Sequence, residues 1–86
     1  MPKIRHLDGH VQVNQHWTVI RPGERANVAR HAGGLIHLTV KRLGHSRWQW
    51  RVAGAGRTRS GESKTASEGQ DAAEQAAQAV VQEAAA

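Results

Sequence analysis

Five cations, Lys41, Arg47, Arg51, Arg57 and Arg59, fall at odd positions through the middle of the chain, with Gln49 among them and Asn14 and His37 ahead. Guanidinium groups fork onto phosphate oxygens, and the amides of Gln49 and Asn14, with the imidazole of His37, can donate to and accept from base edges. The chemistry this set supports is recognition of a polyanion. Bond-making is poorly provided for. The first 64 residues hold only Asp8, Glu24 and Glu62, too scattered to act as an acid and a base, and the adjacent His45-Ser46 does not by itself make a nucleophile and its base. Gly54-Ala55-Gly56 lacks the third glycine and the downstream acid of a dinucleotide fingerprint, and Gly61-Glu62-Ser63-Lys64-Thr65 lacks the glycine spacing of a phosphate loop. No catalytic residue and no cofactor is expected.

A metal site is weighed on His6, Asp8 and His10, which an extended chain would present on one side. Gly9 loosens that segment, and no partner is identifiable behind the three groups to orient them, so a solvated arm is the better reading. The chain has no cysteine, which excludes thiolate zinc sites and thiol catalysis.

Charge is segregated along the chain. All 12 Lys and Arg lie between Lys3 and Lys64, opposed there by three acids, whereas the rest holds Glu68, Asp71, Glu74 and Glu83 and no base. The net +5 therefore understates the field of the front segment. Apolar residues make up 38% of the chain and 14 of the 86 residues are alanine, so the core is thin and a homodimer would supply further burial. No apolar run approaches the roughly 18 residues that span a bilayer, and no signal-peptide core follows Met1-Pro2-Lys3. The expectation is a cytoplasmic protein without a membrane partner.

The elements that must position these side chains follow from periodicity. Residues 1–10 are expected as a flexible basic arm and residues 11–86 as a single domain of sheet plus C-terminal helix. Val11 to Arg21 alternates apolar and polar, the pattern of a strand with one apolar side, and Pro22-Gly23 stops it. Glu24 to Gly34, with Arg25, Arg30 and His31, is expected as a charged loop with a helical turn over Ala26 to Arg30. Leu35–Leu43 and Arg47–Val52 alternate again around Gly44-His45-Ser46 and predict a hairpin, and Arg57 to Ser60 predicts a short polar edge strand. Ser67 with Gln70 three residues on has capping-box spacing, and the helix is expected from about Glu68 to about Glu83. Its stripe of Ala73, Ala76, Ala77, Val80, Val81 and Ala84 faces the sheet, and Glu74, Gln78 and Gln82 face water. The fold class is α+β: an antiparallel three- to four-stranded meander with one C-terminal helix on one face.

Strand parity then sorts the side chains. With Trp17, Trp48, Trp50, Ile36, Leu38 and Val40 toward the helix, the pleat sends Asn14, His37, Lys41, Arg47, Gln49 and Arg51 to the opposite face, and the same parity assigns Arg57 and Arg59 there. That face is expected to carry no acid. Tryptophans turned inward fill a core that has no Phe or Tyr; turned outward, Trp48 and Trp50 would stack single-stranded bases. Burial is favoured because the helix stripe needs something to cover.

Arg47-Trp48-Gln49-Trp50-Arg51-Val52, a Gly-rich turn, a short Arg strand, and Ala72-Ala73 with Ala76-Ala77 on a terminal helix resemble DNA-binding domains made of a three-stranded sheet and a helix. These are the ethylene-response-factor type and the arm-binding domains of phage-type integrases. The resemblance spans about Leu35 to Gln82. It implies a sheet that enters the major groove with strand Arg and Trp on phosphates and bases. The chain has Ser63 to Ser67 where that family has a large aromatic before the helix, and Val11 to Arg21 has no counterpart in it. Small phage and bacterial meander-plus-helix domains share the pattern.

The leading expectation is a non-enzymatic nucleic-acid-binding module, DNA favoured over RNA. Lys41, Arg47, Arg51, Arg57 and Arg59 would take phosphates; Gln49, Asn14 and His37 would lie near base edges. About five phosphates imply a salt slope near −4.5 on duplex. The rival is a protein-interaction module, such as a small phage or mobile-element inhibitor, docking the same basic face on an acidic protein surface.

Overall fold

The computed structural model describes residues 4–7, 11–14, 16–31, 34–54 and 56–85. Among them the chain runs β1 (Ile4–Leu7), β2 (Val11–Asn14), β3 (Thr18–Arg21), β4 (Glu24–His31), β5 (Gly34–Gly44), β6 (Arg47–Gly54), β7 (Arg57–Ser63) and α1 (Ala66–Ala85). The class is α+β. The strand pairs are antiparallel, in the order β1-β2-β4-β5-β6-β7, and β3 joins the same edge of β4 as β2. The sheet thus has six strand positions where three to four were expected.

Alternation builds the centre of this sheet. Ile36, Leu38 and Val40 of β5 and Val52 of β6 are fully buried on the helix side, with Val11, Val13 and Ala29 beside them. Each large aliphatic side chain contributes about 1.5–3 kcal/mol by leaving water. The helix answers with Ala73, Ala77 and Val80, all buried, and with Ala76 and Val81 half-buried. Trp50 and Trp17 are half-buried against this cluster, and Trp48 is half-buried too. The three tryptophans therefore serve the core side of the sheet. No described helix is long and apolar enough to cross a membrane.

Several expectations are corrected. Glu24–His31 is a strand, not a loop, pairing with β5 from Glu24 opposite Lys41 to His31 opposite Gly34. Its inward row, Arg25, Asn27 and Ala29, is too polar to show as alternation, yet its polar groups are satisfied. Arg25 Nη1 donates to Gln70 Oε1 at 2.7 Å. Asn27 Nδ2 donates to the Asn14 carbonyl at 2.8 Å, while Asn27 Oδ1 accepts from the Val28 amide at 2.8 Å. The stretch expected as one strand from Val11 to Arg21 is two, β2 pairing with Ala29 and Arg30 and β3 with Glu24 to Ala26. Asn27 lies opposite the break between them, and its amide stands in for the missing ladder bonds.

The helix begins two residues earlier than expected, at Ala66. Thr65 Oγ1 accepts from the Glu68 amide at 3.1 Å and Glu68 Oε2 accepts from the Lys64 amide at 3.2 Å, so the capping pattern is Thr65 with Glu68 rather than Ser67 with Gln70. Glu74, expected in water, is 6% exposed and accepts from Trp17 Nε1 at 3.0 Å, because the sheet extends far enough to bring Trp17 under the helix. Ile4–Leu7, within the segment expected as an arm, pairs with β2; the rest of that segment, with Asp8 and His10 of the weighed metal triad, lies outside the described residues.

Two reversals set which face each side chain takes. Pro22 and Gly23, with Gly23 at φ 81°, join β3 to β4 in the arrangement a type II turn requires. Between β5 and β6 the register slips at Arg42/Gly44, so that even-numbered Trp48 and Trp50 face the helix with even-numbered Val40 and Leu38.

Candidate functional site

The helix covers one face of the sheet and leaves the other open. On the open face the register sets out rows that cross the strands. One runs Glu24, Lys41, Gln49, Glu62; the next Ala26, Thr39, Arg51, Ser60; the next Val28, His37, Ala53, Thr58; and toward the far end Gln12, Arg30 and Leu35. Lys41, Arg47, Gln49, Arg51 and His37 are all exposed on this face, as expected. Asn14 lies three strand positions from β6 and is half-buried, its carbonyl already taken by Asn27. It does not join the others.

Arg57 and Arg59 are on the wrong face for the expected site. The two-residue reversal after Gly54 pairs Gly54 with Arg57 and Val52 with Arg59, which puts odd positions of β7 on the same side as even positions of β6. Both guanidinium groups reach the helix C-terminal turn and pair with Glu83, Arg57 Nη1 at 3.4 Å from Oε2 and Arg59 Nη2 on Oε1. The hydrogen bond from Arg59, aided by the charges of Arg59 and Arg57, holds the Glu83 carboxyl below its ordinary value of 4.5. A folded-state value below the unfolded one contributes stability above about pH 4.5 that is lost as pH falls through the folded value. Glu83→Gln is therefore expected to flatten the acid limb of a melting-temperature profile and to leave its slope above pH 6 unchanged; an unaltered acid limb would show that the clamp carries no linkage. The groups are part-exposed, so the effect is modest.

The open face also carries acids, contrary to expectation. Glu24 enters it because β4 is a strand, and Glu62 because β7 continues to Ser63 instead of ending before Gly61. Arg47 donates to Glu62 Oε1 from Nε at 3.2 Å and Nη2 at 3.1 Å, and Arg21 Nε lies 3.3 Å from Glu24 Oε1. Both pairs are surface pairs and weak. Arg30, Lys41 and Arg51 make no ion pair among the described residues. Arg30 was missed from sequence because its strand was not recognised; the alternation Ala26, Val28, Arg30 against Arg25, Asn27, Ala29 was its only signal. Trp48 and Trp50 are turned to the helix side, so they do not form a stacking platform on this surface.

Among the described residues no group of three or more His, Cys, Asp or Glu is placed to hold a metal ion. Comparison with protein-family models, with curated proteins and with solved structures finds no match.

Proposed function

We propose that the open face of the sheet is a non-enzymatic binding surface for the phosphate backbone of a nucleic acid. The observation that carries this reading is the set of cations Arg30, Lys41 and Arg51, spread over three cross-strand rows of an uncovered face, exposed and without ion-pair partners among the described residues. Gln49, Thr39 and His37 lie between them and can donate to sugar or base edges. Arg47 joins when a phosphate competes for it with Glu62.

Width shapes the binding mode. Six strand positions at about 4.8 Å each make a surface roughly 24 Å across, twice the ~12 Å of a major groove. The face suits phosphates along the outside of a duplex, or an extended single strand, better than the groove insertion that the sequence resemblance implies. With Arg57 and Arg59 removed from the set, about three phosphates are engaged instead of five.

Log K against log salt is therefore expected to fall with a slope of about −2.7 on duplex DNA. A slope shallower than about −1, or no binding at low salt, rejects the reading. The second reading, docking on an acidic protein surface, draws on Leu35 and Leu43, which are 51% and 44% exposed at the two ends of β5 and would act as apolar anchors. A partner retained from lysate after nuclease treatment favours it over nucleic acid.

A further inference from the structure

β7 (Arg57–Ser63) closes one side of the sheet. Among the described residues it pairs with β6 alone, so its outward N–H and C=O groups meet no strand. A row of this kind is a template for another strand unless something blunts it. The opposite margin is blunted, since β1 and β3 divide it into four-residue pieces and a register shift interrupts β3. β7 carries none of these devices. Its seven residues run without proline and without a register shift, from Arg57 opposite Gly54 to Ser63 opposite Trp48. Its charges do not guard it either, because each is engaged within its own chain: Arg57 and Arg59 by Glu83, and Glu62 by Arg47.

The strand that fits this edge is a second β7. A two-fold axis normal to the sheet keeps both helices on one side and sets residues of like parity opposite each other. Centred on Ser60, it pairs all seven residues: Arg57 with Ser63, Thr58 with Glu62, Arg59 with Gly61, and Ser60 with Ser60. Neighbouring registers fail on charge or on length. Centring on Thr58 sets Arg57 against Arg59, centring on Arg59 or Glu62 sets that residue against its own copy, and centring on Gly61 leaves Arg57 and Thr58 beyond the paired strand. The helices leave room. α1 lies across β5, β6 and β7, and three strand spacings separate β6 of the two copies, about 14 Å, which clears a helix diameter of about 10–12 Å.

We propose that β7 is the interface of a homodimer, in which two copies pair antiparallel about Ser60 and join their sheets into one. The thin core favours it, because the paired edge adds order that one copy supplies sparingly. Both open faces lie on the same side of the joined sheet, and Arg51 of each copy, opposite Ser60, enters one shared row. About six to eight main-chain hydrogen bonds form across the axis. The buried area falls below the ~1,200 Å² of a standard interface, so a dissociation constant of about 10 µM is expected.

The test is sedimentation of the free, full chain from about 1 to about 200 µM, over which the wild type should pass from monomer to dimer. Ser60→Glu keeps the monomer sound, because the new carboxylate stands opposite Arg51 within its own chain, and its melting temperature in dilute solution should not fall. At the axis it sets two carboxylates against each other and is expected to weaken dimerisation at least about tenfold. An equimolar mixture with Ser60→Lys should restore the dimer as a pairing of unlike copies. A wild-type chain that stays monomeric through the range overturns the proposal. So does a Ser60→Glu dimer as tight as the wild type, which would place the interface elsewhere, and a mixture that remains monomeric overturns the pairing about Ser60. Every readout uses the free protein, so none of these failures touches the nucleic-acid reading.

Discussion

Arg30→Glu combined with Arg51→Glu is expected to weaken nucleic-acid binding by about a hundredfold at ~50 mM salt, since each phosphate left without its cation forfeits about one decade of counterion-driven affinity. The salt slope should become shallower by about 1.8. Neither position faces an acid across the sheet: Arg30 stands opposite Leu35 and Gln12, and Arg51 opposite Thr39 and Ser60. Reversal therefore creates no like-charge neighbour directly opposite, and stability should change by no more than about 0.5 kcal/mol. The informative control is Arg57→Gln with Arg59→Gln. If binding uses the open face, that pair costs far less affinity than the reversed pair, because both side chains are held by Glu83 on the helix side. An equal loss from both double variants would remove the face assignment.

Gly61→Ala is expected to destabilise the domain by about 2 kcal/mol, the range for forcing extra volume into a packed site, or about 10 °C in melting temperature for a chain of this size. Gly61 sits directly opposite Trp50, and a Cβ there would lie 2.6 Å from Trp50 Cζ2, 2.7 Å from Cε2 and 2.8 Å from Nε1. The indole covers the glycine and fills the space a side chain would occupy. To admit a methyl group the ring must move, and it is packed against the core beneath the helix. Displacement would expose the indole and shift its emission to the red. Ser60→Ala, one position along on the exposed outer face, should be close to neutral. Melting temperatures that match for the two variants would show that Trp50 does not depend on the bare backbone at Gly61.

The centre of the fold was legible because its residues obey one rule each. Ile36, Leu38, Val40 and Val52 alternate with polar neighbours, and the alanine-rich tail repeats at helical spacing, so the β5–β6 hairpin and the covering helix follow from periodicity alone. The same parity placed Lys41, Arg47, Gln49, Arg51 and His37 together on the open side. β4 was not legible, because its buried row is Arg25, Asn27 and Ala29, whose polarity hides the period and is tolerated only through bonds to Gln70, Asn14 and Val28 made by the folded chain. Missing β4 hid Arg30 from the candidate set and Glu24 from the face.

Composition and local alternation determined the class of this protein: basic sheet residues, a thin aliphatic core, and an alanine-rich helix that covers it. What only the tertiary structure decided is which cations share a surface. A change of one residue in a hairpin connection inverts every side chain of the next strand, and pattern within a strand does not record the length of the turn before it. The two-residue reversal after Gly54 thus sends Arg57 and Arg59 to Glu83, while the slip at Arg42/Gly44 keeps Trp48 and Trp50 on the helix side. Which cations share the open face is fixed by those two turns as much as by the residues that compose it.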